Sequence, residues 1–159
     1  MVDQILAKSG VSRGTFYRYF DGRDGLAIEV LEERAERFER CLEERLEVSG
    51  GLRDGIVAVF EFLENWADEH GARGCLFQTS MVEFAGWEEL HTVSRQHKTR
   101  VSAVFADFLK RHGHPDPVFG AFSMMLLVEG AVALATYGSA REVFRHSARS
   151  ALVSFRASA

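Results

Sequence analysis

VDQILAKSGVSRGTFYRYFDGRDGLAIEVL, residues 2–31, reads as a short helix, a tight turn, a second short helix, another turn, and the start of a long helix. Ile5 and Leu6 give the first helix an apolar face, and Ser9-Gly10 ends it. Glycine there can take the left-handed conformation that closes a helix without a Cβ clash. Val11 plugs the corner, and Ser12 is a good N-cap, because its hydroxyl can accept from backbone N–H groups of the following turn. Thr15, Phe16, Tyr19 and Phe20 recur at helical spacing, predicting an aromatic inner side, with Arg13, Thr15, Tyr17 and Arg18 on the outer one. Two short helices joined by a glycine-containing turn make a helix-turn-helix, which is too small to hide its own core and needs a supporting helix. The chain supplies one after Asp21-Gly22.

In such a unit the second helix enters the major groove of DNA, and flanking hydroxyls and cations hold the phosphates. Arg13 and Thr15 are therefore candidates for base or phosphate contact, Ser12, Tyr17 and Arg23 for phosphate, and Arg18 for either. Phe16, Tyr19 and Phe20 are expected in the core or as a wedge. Ile5, the run GVSRGTFYRYF from Gly10 and the turn DGRDGL resemble the DNA-binding domain of TetR-family transcriptional regulators. The resemblance implies the same roles at Ser12, Thr15, Tyr17 and the Arg23 turn. Chains of that family carry a further helix ahead of this motif, often with a basic tail. The expectation is thus a reading domain short of one of its three walls, through a misplaced start, a truncation or a genuinely short form.

At 47% apolar and 26% charged residues over 159 positions, with 2 prolines, the composition is that of an ordinary globular chain. Cys41 and Cys75 form no CxxC pair and are expected as buried structural thiols in a reduced cytoplasmic protein. The net charge of −4 is unevenly spread. Residues 1–26 carry Lys8, Arg13, Arg18 and Arg23 against Asp3, Asp21 and Asp24, whereas residues 27–50 are strongly acidic. The modest positive charge sits where the motif is. Phosphate binding needs only a few well-placed cations per monomer.

From Arg23, Leu26, Ala27, Val30, Leu31, Arg34, Ala35, Phe38, Cys41, Leu42 and Leu46 form an amphipathic stripe, and pairs such as Glu33–Arg37 and Glu36–Arg40 read as a solvated face. Ser49-Gly50-Gly51 is the candidate domain boundary. Further helices are predicted over Arg53–His70, Cys75–Ala85, Trp87–His112, Val118–Tyr137 and Ala140–Ala157, with no strand. The Val118–Tyr137 run is apolar almost all round, which raises a membrane span. Glu129 near its middle and its setting among soluble helices favour a helix buried on every side, one side against its own domain and the other against a second subunit.

Phe60, Leu63, Trp66, Phe77, Met81, Phe84, Trp87, Phe105, Phe122 and Met125 are large side chains in the middle of the chain, and bundles often hold ligands among such residues. An ordinary core is the bland alternative for each. Members of the resembled family commonly bind a small effector in this region. Glu129 on its apolar helix needs a partner, either an Arg or hydroxyl across a dimer interface or a cationic ligand. His91, His97, His112 and His114 read as lone surface histidines, and no metal, cofactor or enzymatic constellation is expected.

These readings combine into an all-α protein. Residues 1–48 form an incomplete helix-turn-helix with its connecting helix, and residues 49–159 form a helical effector-binding and dimerisation domain. The expected function is ligand-responsive regulation of transcription, in the sense of a repressor released by an apolar or amphipathic small molecule. Its partners are a double-stranded DNA operator and a second copy joined through residues 118–137 and 140–157, with no membrane. The alternative is a dimeric ligand-binding module that no longer binds DNA.

Overall fold

Turn residues punctuate the chain where the local chemistry demands it, and eight α-helices lie between them among the described residues, 2–156 of this computed structural model. They are α1 (Val2–Ser9), α2 (Arg13–Tyr19), α3 (Gly22–Glu47), α4 (Leu52–His70), α5 (Leu76–Glu83), α6 (Glu88–Arg111), α7 (Pro117–Leu134) and α8 (Ala140–Arg156). No strand forms among these residues. The expected end of the last helix at Ala157 lies outside them. Gly10 at φ 70° closes α1, as its position requires. Pro117 occupies the first turn of α7, where its missing N–H costs nothing, and the Asp116 carboxylate accepts from Phe119 N–H at 3.0 Å.

Two apolar clusters organise the bundle. The larger joins Leu42 and Leu46 of α3 to residues such as Phe60 (α4), Phe105 (α6), Met124 (α7) and Phe144 (α8). The smaller joins Leu31 and Ala35 of α3 to Phe77 of α5 and Leu90 and Val93 of α6. Only α3 and α6 contribute buried residues to both clusters, so these two helices run as rails along the length of the molecule. α6 also packs on α7, and α4 on α8.

The buried seam of α3 is Leu31, Ala35, Glu39, Leu42 and Leu46, stepping by four and three residues. It is narrower than the stripe read from the sequence. Val30 lies beside it and is half exposed, because the seam follows the single face turned to α6. Glu39 overturns the reading of a wholly solvated charged face, since its step from Ala35 places it inside the seam. Arg37 reaches Glu69 of α4 at 3.3 Å rather than Glu33, because the neighbouring helix brings a carboxylate within range. Within the single chain, α7 is buried on one side. Phe119, Phe122, Leu126 and Leu134 are all exposed, since only the face carrying Gly120, Ala121, Met124, Val128 and Ala131 meets its own domain. This helix is long and apolar enough to cross a membrane by length and composition alone.

Gly55 of α4 is buried where the Phe108 ring of α6 crosses it. A Cβ built there would stand 2.2 Å from the ring, a distance no real contact tolerates. We expect Gly55→Ala to destabilise the protein by about 2 kcal/mol through overpacking, against the helix propensity gained. Urea denaturation measures this, and an unchanged or raised midpoint would contradict it.

Candidate DNA-reading head and effector pocket

At the N-terminal end, α2 is pinned by its own cap. Ser12 Oγ accepts from Thr15 N–H at 3.1 Å, and the two hydroxyls lie 2.9 Å apart. Phe16 is the one fully buried residue of the head, with the Phe20 ring tilted against it at 5.3 Å. Tyr19, expected inside, is 69% exposed. The Arg18 guanidinium lies over its ring at 5.1 Å. Ser12, Arg13, Tyr17 and Arg18 are exposed together and Thr15 is partly so. Arg13 pairs with Asp3 of α1. Arg23 stands apart from this set. It pairs with Asp24 at 3.1 Å and lies 4.8 Å over the Phe84 ring, tying the start of α3 to the end of α5.

A second feature opens between α3, α4, α6 and α7, roofed by the turn from Gly71 to Cys75. This cavity has a volume of about 90 Å³ and is open to solvent. Its aromatic side is a connected cluster. Phe38 of α3 meets Trp66 edge-on at 5.2 Å and His97 at 5.5 Å, while Phe77 stacks on His97 at 4.0 Å. Its charged side brings together Arg34, Arg73, Lys98 and Glu129. Lys98 Nζ donates to Glu129 and lies 3.4 Å from Cys75 Sγ, and Gln78 Nε2 donates to Glu129 at 3.1 Å.

Behind the pocket wall, His97 is only 2% exposed, which overturns its reading as a surface histidine. Its turn of α6 faces α3. Nδ1 lies 2.7 Å from Glu39 Oε1, and Arg100 Nε forms an ion pair with the other carboxylate oxygen at 2.8 Å. Burial pushes the imidazole below its usual value, and the hydrogen bond to Glu39 pulls the other way without winning. The neutral ring donates Nδ1–H to the carboxylate. His91, His112 and His114 are all partly buried, each with a local hydrogen bond.

Of the side chains read as pocket candidates, Leu63, Trp66, Phe77 and Glu129 do line the cavity. Phe60 and Phe105 are packed in the larger cluster, with Met125 against its edge. Phe84 and Trp87 meet at 5.5 Å beside the smaller cluster. Met81 offers its carbonyl to His91, and Phe122 is exposed on α7. Residues the sequence reading passed over include Arg34, Phe38, Arg73, His97 and Lys98. Arg34 did leave a trace, as a cation interrupting an apolar stripe. Neither cysteine is in a disulfide, and both are partly buried, Cys41 against the larger cluster and Cys75 in the pocket wall.

Residues 1–30 match the family described as bacterial regulatory proteins, tetR family. Among curated proteins none matches the chain. Two solved structures share its fold. SCO4454, a TetR-family transcriptional regulator from Streptomyces coelicolor, superposes with a TM-score of 0.87 at 23% identity, covering 99% of this chain and 78% of that one. The reduced form of NemR from E. coli superposes with a TM-score of 0.79 at 23% identity, covering 94% of this chain and 83% of that one.

The buried histidine sets a pH dependence. In the unfolded chain its imidazole takes a proton near its ordinary value of 6.5, whereas in the folded chain it resists until lower pH. Stability is therefore fully present above about 6.5 and falls as the pH drops through the interval below it. Melting temperatures at pH 7.5 and 5.5 should differ more for the wild type than for His97→Gln. Equal differences would refute the assignment.

Proposed function

We propose that the chain is a TetR-family regulator, supported by the match of residues 1–30 and by the shared fold, and that it represses transcription until a small molecule relieves it. One observation carries the reading: α3 starts three residues after α2 ends, and the same helix supplies Arg34 and Phe38 to the pocket wall. Residues 1–48 act as the reading head with its connecting helix, and residues 49–159 as the effector-binding and dimerisation part. In the head, Ser12, Arg13, Thr15, Tyr17 and Arg18 face the DNA, with the exposed hydroxyls and cations on phosphate and Arg13, Thr15 or Arg18 nearest the bases. Arg23 braces the start of α3 and reaches phosphate from there.

The mechanism is mechanical. An effector between α3, α4, α6 and α7 presses on Arg34 and Phe38, and α3 is latched to α6 through Glu39, His97 and Arg100. A ligand that favours a second seating of α3 against α6 carries the head with it. In a dimer this changes the separation of the two heads from one helical turn of DNA, and affinity falls. Leu63, Trp66, Phe77 and Glu129 form the ligand wall with these α3 residues. Phe60, Met81, Phe84, Trp87, Phe105 and Met125 back it.

The dimer forms through α7 and α8. Phe119, Phe122, Leu126, Leu134 and Tyr137, with Val153 of α8, leave an apolar surface of the kind that subunit interfaces bury. The protein works in the cytoplasm, where its operator is.

Fluorescence anisotropy with its own promoter DNA at two salt concentrations tests the first part. We expect sequence-selective, salt-sensitive binding. Arg18→Ala should weaken it about tenfold and reduce the salt slope by about one. Binding that neither salt nor Arg18→Ala changes would sink the reading head and leave a dimeric ligand-binding module. For the interface, Phe122→Asp should convert a dimer to a monomer in sedimentation velocity. An unaltered dimer would place the contact elsewhere.

A further inference from the structure

The charges of the pocket do not cancel, and their sign selects the ligand. Lys98 and Glu129 neutralise one another, and Gln78 adds an N–H to the carboxylate. His97 is neutral with Nδ1 committed to Glu39, so it offers the cavity a ring face rather than a charge. Arg34 and Arg73 remain. Neither has a carboxylate within ion-pair distance among the described residues. Arg34 is partly buried with its guanidinium 4.4 Å over the Trp66 ring. The charged groups nearest it are Arg37, Glu33 and Glu69, and Glu69 is already held by Arg37. Burial and then the neighbouring Arg37 lower the affinity of Arg34 for its proton, and Glu33 and Glu69 pull the other way without winning. Arg73 rises from the Gly71–Cys75 turn at the mouth of the same cavity.

We infer that the effector is an organic anion, an apolar body ending in a carboxylate or similar anionic group received by Arg34 and Arg73. The inference rests on reading this cavity as the effector site. A planar guanidinium presents paired N–H donors that match the two oxygens of a carboxylate. The apolar part of the ligand fits among Phe38, Leu63, Trp66, Phe77, Val128 and Phe144. The cavity is open to solvent, and Arg73 in its lining is exposed, so the anionic end of the ligand can stay near the surface. An amine fares badly here. Its only carboxylate, Glu129, is spoken for, so binding would have to break the Lys98 pair beside two uncompensated cations.

Calorimetry on the full chain, without DNA, tests this with two matched series: phenylacetate, phenylacetamide and phenethylamine, then octanoate, octanamide and octylamine. In at least one series the carboxylate should bind roughly tenfold or more tighter than its amide, with the amine weakest. Arg34→Met, which keeps an apolar chain against Trp66, and Arg73→Gln should each erode that preference, with thermal melts of both variants showing that the pocket stays folded. Amines binding as well as carboxylates would overturn the inference. So would a preference that survives in the double variant, or no binding by any of the six. Failure of the repressor reading is separable. A carboxylate that binds with the expected preference but leaves operator affinity unchanged would remove that reading and leave this one standing.

Discussion

A carboxylate inside an apolar seam has to be given donors, and the Glu39 site depends on how that demand is met. The seam of α3 would be uniformly apolar but for this residue, which is 9% exposed. Its two oxygens take His97 and Arg100, both from α6 and one turn apart. Sliding α3 along α6 would strand the charge, at a cost well above that of shifting one aliphatic contact for another. The pairing therefore fixes the register of the two rails that run through both apolar clusters. A hydrophobic seam alone tolerates small slips; a buried, hydrogen-bonded one does not.

That register is set beside the cavity, since Glu39 follows Phe38 on α3 and His97 lines the pocket. His97 faces Glu39 with one edge and Phe77 with one face, and Phe77 lines the cavity. On α3, Arg34 and Phe38 flank the latch on the pocket side, and the helix continues back to the turn that ends α2. The cavity wall, the latch and the helix start that follows α2 thus all lie on one helix. A rearrangement at the wall has no soft segment in which to be absorbed before it reaches the head, apart from the turn at Phe20 and Asp21. Arg23, seated over Phe84 while paired with Asp24, braces the α3 side of that turn.

The two apolar surfaces of α7 illustrate the other organising constraint. Small residues, Gly120, Ala121 and Ala131 among them, face inward, so that α7 approaches its neighbours closely. The large ones, Phe119, Phe122 and Leu126, face outward. A helix arranged only to fill its own core would place them the other way, since large side chains bury more area. The arrangement suits a helix with two sets of neighbours, of which the single chain supplies one.

Local chemistry was sufficient to determine the helices. Gly10, the Ser12 cap, Asp116-Pro117 and the apolar periodicities act within a few residues, so they are legible in one dimension, and the helix-turn-helix with its Ser12, Thr15, Tyr17 and Arg18 surface follows from spacing alone. The pocket was only partly legible. Leu63, Trp66 and Phe77 could be picked out as large side chains, and Glu129 as a charge on an apolar helix, because each is conspicuous in its own element. Which neighbours they meet depends on how α3, α4, α6 and α7 cross, and nothing in a single helix records that. Glu39 and Glu36 look alike as members of a charged run, yet one is buried and the other exposed. Tertiary packing also decided the sign of the cavity, since Lys98, thirty-one residues before Glu129, cancels it while Arg34 and Arg73 have no carboxylate ion pair among the described residues. Charge compensation is a property of positions in space, and the sequence alone could list the charges but not pair them.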